Sequence, residues 1–87
     1  MIIVVNHKIN NPTSFWVSAQ ISLPQLPVSG VQKIIQVMPN ADMTNAVCVW
    51  EAENIETLDA YLRSKVQDWS MDTYFELNAA AAMGMPQ

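Results

Sequence analysis

The sequence has few charged residues, few basic residues and a single cysteine, and each shortage excludes a class of protein. Only 14% of the 87 residues are Asp, Glu, Lys or Arg, against about 25% in an average soluble domain. The net charge is −4 with four scattered basic residues, which argues against nucleic acid as a partner, because phosphates require clustered Lys and Arg. One cysteine cannot form an internal disulfide, so a reducing, cytoplasmic location is expected.

Glycine is equally scarce, and its positions exclude several motifs. Gly30 and Gly84 are the only two glycines, so the chain has neither a glycine-rich phosphate loop nor a G-x-S-x-G nucleophile motif. One histidine and one cysteine cannot make a structural zinc site within one chain. The apolar run over residues 1–5 ends at Asn6, too early for a signal peptide or a membrane span. No membrane association is therefore expected.

Hydrophobic residues, in contrast, make up 51% of the chain. A chain of this length has room for one domain, here 1–87, and buries only about 60–65% of its unfolded surface. This composition gives more apolar surface than a small monomer usually buries. We therefore expect the chain to self-associate, which would bury the excess apolar surface.

The pattern of apolar residues and turn signals predicts two strand–helix–strand units. Asn11 and Asn54 are good N-caps, and Pro12 suits a first helical position. Residues 68–72 are predicted to form a loop. The predicted elements are a strand over 2–9, a helix over 12–23, strands over 31–38 and 46–52, a helix over 55–66, a strand over 73–77 and a short helical turn over 79–83.

The order β-α-β-β-α-β predicts a ferredoxin-like α+β fold, with a four-stranded antiparallel sheet and two helices on one face. The other sheet face is then bare. Alternation along the strands predicts that it carries Ile34, Met38, Trp50 and Tyr74. An apolar patch of this kind favours a homodimer through the open sheet face.

Several segments resemble a known superfamily over nearly the whole chain. These are the segments 5–9 (VNHKI), 11–16 with Asn-Pro and Phe-Trp, 47–54 (VCVWEAEN), 73–78 (TYFELN) and 83–86 (MGMP). They resemble the dimeric α/β-barrel proteins, in particular a small, mostly uncharacterised bacterial branch. The resemblance implies two ferredoxin-like subunits packed sheet to sheet around a small cavity. The scaffold is similar to that of cofactor-free monooxygenases, muconolactone isomerases, haem-dependent members and a small nickel-binding protein, so no cofactor is implied by the fold.

His7 is the one side chain expected to titrate near neutrality, which makes it the candidate catalytic residue. It is predicted to act as a general base or metal ligand, or else only to hydrogen-bond a neighbouring strand. Alternation brings further residues to the bare face as candidate walls of a ligand pocket: Gln36, Cys48, Trp50, Tyr74 and Glu76. Cys48 lacks a positive neighbour, which favours a buried, unreactive thiol.

Acidic residues near the start of the second helix, Glu51, Glu53, Glu56 and Asp59, leave a metal hypothesis open, although a solvated helix start is the more common explanation. Asp59 and Arg63 are expected to form an i,i+4 pair on the solvated side of that helix. Three functions follow from the sequence. The first is a cytoplasmic homodimer that binds a small molecule in its cavity. The second is a cofactor-independent monooxygenase or isomerase that uses His7, and the third is a metal-binding protein of the nickel type.

Overall fold

A computed structural model describes residues 1–84 and contains one sheet covered on one side by two helices. The elements are β1 (Ile2–Ile9), α1 (Pro12–Ser22), a short 3-10 helix (Leu23–Gln25), β2 (Val31–Pro39), β3 (Asn45–Ala52), α2 (Ile55–Val66) and β4 (Ser70–Glu76). The predicted β-α-β-β-α-β order and the ferredoxin-like α+β fold are confirmed.

The strand order in the sheet is β2-β3-β1-β4, and every neighbouring pair is antiparallel. The two central strands, β1 and β3, are therefore the first and third in the chain. β1 pairs with β3 on one side and with β4 on the other. Side chains of β1 and β4 that are directly opposite each other consequently share a face of the sheet.

Both helices begin at the predicted asparagine caps. The side-chain oxygen of Asn11 accepts a hydrogen bond of 3.1 Å from the Ser14 N–H. The side-chain oxygen of Asn54 accepts one of 2.7 Å from the Thr57 N–H. Each bond satisfies a backbone donor that the first helical turn leaves without a partner.

The hydrophobic core lies between the sheet and the helices. Alternate residues of β1 and β3 point towards the helices and are almost fully buried, as is Phe15 of α1. The core cluster comprises Ile3, Val5, Ile9, Phe15, Val31, Ala46, Cys48, Trp50, Ala52, Leu58, Leu62 and Val66.

The assignment of residues to the bare sheet face is wrong for Ile34, Cys48, Trp50, Tyr74 and Glu76. Trp50 pairs with Ile3 and with Ile34, and Tyr74 pairs with Val5, so these three lie on the helix side. Cys48 pairs with Val5 and Glu76 with Ile3, which places both in the same register. The reason is that β1 and β3 carry apolar residues on both faces, which leaves the alternation ambiguous. In addition, two register shifts in β2, between 31 and 33 and between 34 and 36, break its period of two.

The open face carries a different apolar patch, with Met38 as predicted. Val4 pairs with Val49 and with Phe75, which places these three side chains side by side across β3, β1 and β4. Phe75 is 51% exposed. We call the residues Val4, Met38, Val49, Met71 and Phe75 the open-face patch. Gln36 pairs with Val49 and so also lies on this face.

One predicted boundary at the C-terminal end also differs. β4 begins at Ser70 rather than at 73, so residues 70–72, predicted as loop, are strand. After β4, the N–H groups of Ala81 and Ala82 both donate to the Asn78 carbonyl at 3.1 Å, which makes a single hydrogen-bonded turn where a short helical turn was predicted. The last residues of the MGMP segment, Met85 and Pro86, lie outside the described residues. Within 1–84, no helix has the length and apolar character needed to cross a membrane.

We expect Gly30→Ala to destabilise the fold more than Gly84→Ala does. Both glycines have a positive φ, of 80° and 75°, so each substitution strains the backbone by about 1 kcal/mol. At Gly30 an added Cβ would also lie 2.5 Å from Cγ2 of Thr57, whereas at Gly84 it would meet nothing within 4 Å. Overpacking adds about 1–3 kcal/mol at Gly30 alone. Urea unfolding of both variants measures the difference, and equal losses would contradict the packing of the β2 start against α2.

Candidate functional site

A cavity lies between the helices and the sheet, next to the only histidine of the chain. The cavity volume is about 40 Å³, and the empty space that also includes open solvent at the mouth is about 420 Å³. A cavity of this volume has room for a few water molecules at most. The walls are almost entirely apolar and are formed by His7, Phe15, Trp16, Ala19, Ser22, Leu23, Ile34, Val37, Cys48, Trp50, Tyr61, Leu62, Lys65 and Val66.

His7 points into the helix side because of strand alternation. It follows Ile3 and Val5 at intervals of two, and both of these are fully buried core residues. The next residue on that side is Ile9. The ring of Phe15 lies edge-on to the imidazole, with 5.2 Å between ring centroids. A polar side chain therefore occupies a core position at the cavity wall.

Asp72 is the partner of His7. The two residues are directly opposite in the β1–β4 pairing, and Nδ1 of His7 lies 2.7 Å from Oδ1 of Asp72. The side chains are only 1% and 2% exposed. Burying a carboxylate against an imidazole adds little net stability, because desolvation of the carboxylate offsets the attraction of its partner. The presence of this pair in so small a core points to a function other than packing.

Arg63 of α2 binds the other oxygen of Asp72. Its Nη2 donates to Oδ2, and its Nη1 donates to the Ser70 carbonyl at 3.2 Å and to the Gln67 carbonyl. Burial raises the pKa of Asp72. The hydrogen bond and charge of His7, together with the charge of Arg63, outweigh this effect and bring the pKa below its usual value of 3.8. Asp72 is consequently ionised at neutral pH.

The ionised carboxylate sets the tautomer of His7. A carboxylate has only acceptors, so the short contact requires that Nδ1 of His7 carry the hydrogen and donate it. In the neutral imidazole, Nε2 is then the nitrogen with the free lone pair. Because Nδ1 and Nε2 lie on opposite sides of the ring, the basic nitrogen faces away from Asp72. The site thus contains a base whose orientation is fixed by a carboxylate.

Tyr74 does not line the cavity, and its side chain instead contacts a carboxylate of α2. Its hydroxyl donates a hydrogen bond of 2.6 Å to Oδ1 of Asp59. The same Oδ1 atom lies 3.7 Å from Nε of Arg63, in the predicted i,i+4 pair of α2. Burial, followed by the bond to Asp59, raises the pKa of the Tyr74 hydroxyl. Tyr74 therefore acts as a hydrogen-bond donor at neutral pH.

Of the predicted pocket residues, Cys48 and Trp50 are cavity-lining, and Gln36 and Glu76 are not. The Nε1 atom of Trp50 is buried and has no hydrogen-bond partner among residues 1–84. Burial, with the charge of Asp72 as a second cause, raises the pKa of the Cys48 thiol to about 12. The thiol is therefore protonated at neutral pH and a poor nucleophile. Glu76 is exposed at the end of β4.

Sequence reasoning found His7 and missed its two partners. Asp72 was predicted to lie in a loop, and Arg63 was predicted to pair only with Asp59 on the solvated side of α2. One signal was available for Asp72, because it lies two residues before Tyr74 and so shares its face in any strand that includes both. Arg63 carried no such signal, since its contact depends on how α2 crosses β4.

The acidic residues near α2 do not form a metal site in the described part of the chain. Between residues 1 and 84, no group of three or more His, Cys, Asp and Glu side chains is arranged to hold a metal ion. Asp59 is instead bound to Tyr74. The Glu56 side chain lies in the first turn of α2, where a negative charge suits the helix dipole.

Comparison with known proteins supports the fold. No protein-family model and no curated protein sequence matches the chain. Among solved structures, the chain is similar to a Nitrosomonas europaea protein described as a "putative antibiotic biosynthesis monooxygenase", with a TM-score of 0.55 and 14% sequence identity. The similarity covers 88% of this chain and 97% of that one. At this identity the likeness shows a shared fold only.

We expect Asp72→Asn to flatten the loss of stability in acid. Because the pKa of Asp72 is lower in the folded than in the unfolded chain, its stabilisation is complete above about pH 3.8 and is lost as the pH falls below it. The variant should also lose about 3 kcal/mol at neutral pH, because His7 and Arg63 lose their anion. Chemical denaturation across this pH range measures both effects. Asp68→Asn, in an exposed turn, is the control, and an acid slope that Asp72→Asn leaves unchanged would contradict the assignment.

Proposed function

We propose that this chain is an enzyme in which His7 removes a proton from a small, largely apolar substrate bound in the cavity. The observation that carries the proposal is the His7–Asp72 pair, which is buried at the wall of an apolar cavity. A pocket that only bound an apolar molecule would have no need of a buried carboxylate held against an imidazole. The predicted general base thus takes precedence over simple small-molecule binding.

The chemical class of the substrate is inferred from the side chains that line the cavity. Aromatic and aliphatic side chains favour a flat, apolar molecule. The unpartnered Nε1–H of Trp50 favours a ligand with an oxygen atom that accepts a hydrogen bond, since a buried donor without a partner is unfavourable. A ring-sized ligand exceeds the cavity volume of about 40 Å³, so part of it must occupy the open mouth. A cyclic ketone with an acidic C–H meets these requirements.

The reaction we propose is cofactor-independent oxygenation, in keeping with the monooxygenase description of the Nitrosomonas europaea protein. Nε2 of His7 takes the proton as the C–H bond breaks, and the electron pair moves onto the substrate oxygen as an enolate. Dioxygen, the second substrate, is reduced by this enolate and forms a C–O bond as a peroxide. His7 returns the proton, and loss of water leaves a carbonyl. Overall, one CH₂ group and one dioxygen molecule are converted to one C=O group and one water molecule.

We expect His7→Gln to abolish proton removal from a probe of this class. With 2-tetralone in D₂O, the wild-type protein should exchange the acidic CH₂ protons for deuterium, and the variant should be at least about 100-fold slower, as expected for loss of a general base. NMR follows the exchange, and an oxygen electrode follows dioxygen uptake. Asn6→Gln, on the same strand but the opposite face, is the control and should retain the wild-type rate.

Three outcomes of this experiment separate the functions. Exchange and dioxygen uptake that both depend on His7 support the oxygenase. Exchange that depends on His7 without dioxygen uptake supports an isomerase instead. No exchange above buffer in the wild-type protein, or equal exchange in His7→Gln, overturns the proposal of a His7 base.

We further propose that the working unit is a homodimer joined through the open-face patch. Phe75 and Met71 are exposed by 51% and 72% on this face, and the buried side chains of Val4 and Val49 continue the apolar row from Phe75 across β1 and β3. An exposed apolar patch on a sheet is typical of an interface. The dimer keeps the proposed sheet-to-sheet form, but through these residues rather than through Trp50 and Tyr74.

We expect Phe75→Asp to weaken self-association without unfolding the chain, because Phe75 is half exposed in the single chain. The charge would have to be buried at the centre of the dimer, which is costly without a partner. Sedimentation velocity over a concentration series measures the effect. Val17→Asp, at an exposed apolar position on α1, is the control and should leave the dimer intact. A monomeric wild-type protein, or a dimer that Phe75→Asp does not weaken, would contradict this interface.

A further inference from the structure

We infer that Arg63 is a positioning residue that acts on His7 through Asp72. The inference rests on the proposed role of His7 as a base, but concerns a residue that touches neither the cavity nor the imidazole. Arg63 binds Oδ2 of Asp72, and His7 binds Oδ1. The two oxygens of one carboxylate are thus divided between the base and the guanidinium.

The first argument is geometric. The planar guanidinium binds three groups at once: the Asp72 carboxylate through Nη2, and the Ser70 and Gln67 carbonyls through Nη1. Ser70 begins β4, and Gln67 follows α2. Arg63 therefore ties the C-terminal end of α2 to the strand that carries Asp72. A lysine has a single ammonium and cannot reproduce this fork.

The second argument is electrostatic. Asp72 is 2% exposed and Arg63 is 36% exposed, so the guanidinium connects a buried carboxylate to the surface. Its charge is one of the causes that hold the pKa of Asp72 below the usual value despite burial. An ionised Asp72 can only accept from Nδ1 of His7, which leaves Nε2 free. Arg63 thus stabilises the tautomer of His7 that carries its hydrogen on Nδ1, which is the tautomer that the proposed base requires.

A second carboxylate lies near Arg63. Oδ1 of Asp59 is 3.7 Å from Nε of Arg63, an ion-pair distance without a hydrogen bond, and it accepts a hydrogen bond from the Tyr74 hydroxyl. Two carboxylates, Asp59 and Asp72, thus flank the guanidinium. Asp59 and Tyr74 have no contact with His7 and support only the orientation of Arg63.

The test compares Arg63→Lys and Arg63→Met with Lys33→Met, which removes the same charge from the opposite sheet face. Since His7 is the only histidine, its Nδ1–H gives a single imidazole signal in ¹⁵N-edited NMR. We expect a sharp downfield signal in wild type and in Lys33→Met, and an exchange-broadened signal in Arg63→Met. Carbon-detected titration should give a higher pKa for Asp72 in Arg63→Met than in wild type. Arg63→Lys, which keeps the charge and the fold more closely, should restore the Asp72 pKa in part.

Kinetic measurements complete the test and distinguish a failure of the positioning role from a failure of the proposed function. The turnover for 2-tetralone exchange should fall about 10- to 100-fold in Arg63→Met, as for a misplaced catalytic group, with little change in KM. Unchanged NMR signals and turnover in both Arg63 variants would overturn the positioning role while leaving His7 as the base. Altered NMR signals without exchange in any protein, wild type included, would support the positioning role and overturn the proposed enzyme.

Discussion

The structure depends on burying the Asp72 carboxylate and its imidazole partner in a small core. His7 and Asp72 occupy positions that an ordinary sheet of this size would fill with aliphatic side chains. Desolvation of these polar groups is unfavourable, and the chain compensates with hydrogen bonds on each carboxylate oxygen and a guanidinium that reaches solvent. β4 begins early enough to include Asp72, and α2 lies close enough to β4 for Arg63 to bind it.

The same arrangement places His7 between two environments. Phe15, Trp50 and Leu62 line the apolar cavity with it, whereas Asp72 and Arg63 do not line the cavity and lie on the side of Nδ1. In the reaction proposed above, a base in a water-poor environment would meet its substrate with little competition from solvent, and the carboxylate would stabilise its conjugate acid. The two environments would then contribute to one proton transfer.

Much of the fold could be predicted from the sequence, because its signals are local. Asn11 and Asn54 specify their helix starts through their own side chains, and short apolar runs specify strands. The site was less accessible to prediction. The face that Trp50 occupies could not be predicted, because β3 carries apolar residues on both faces. The face that Ile34 occupies depends on the register shifts in β2. The contact of Arg63 with Asp72 depends on tertiary packing between elements, and no spacing in the sequence encodes it.

The direct opposition of His7 and Asp72 has a consequence for how β4 finds its place in the sheet. β4 is an edge strand, held by β1 alone, and its apolar residues Met71 and Phe75 lie on the face away from the core. A slip of one residue would bring Met71 or Thr73 to the helix side and turn Asp72 outward, leaving the buried imidazole without its acceptor. The contact between His7 and Asp72 therefore favours one register of β4 against β1. The same two side chains thus help to align the last strand and form the proposed proton-transfer site.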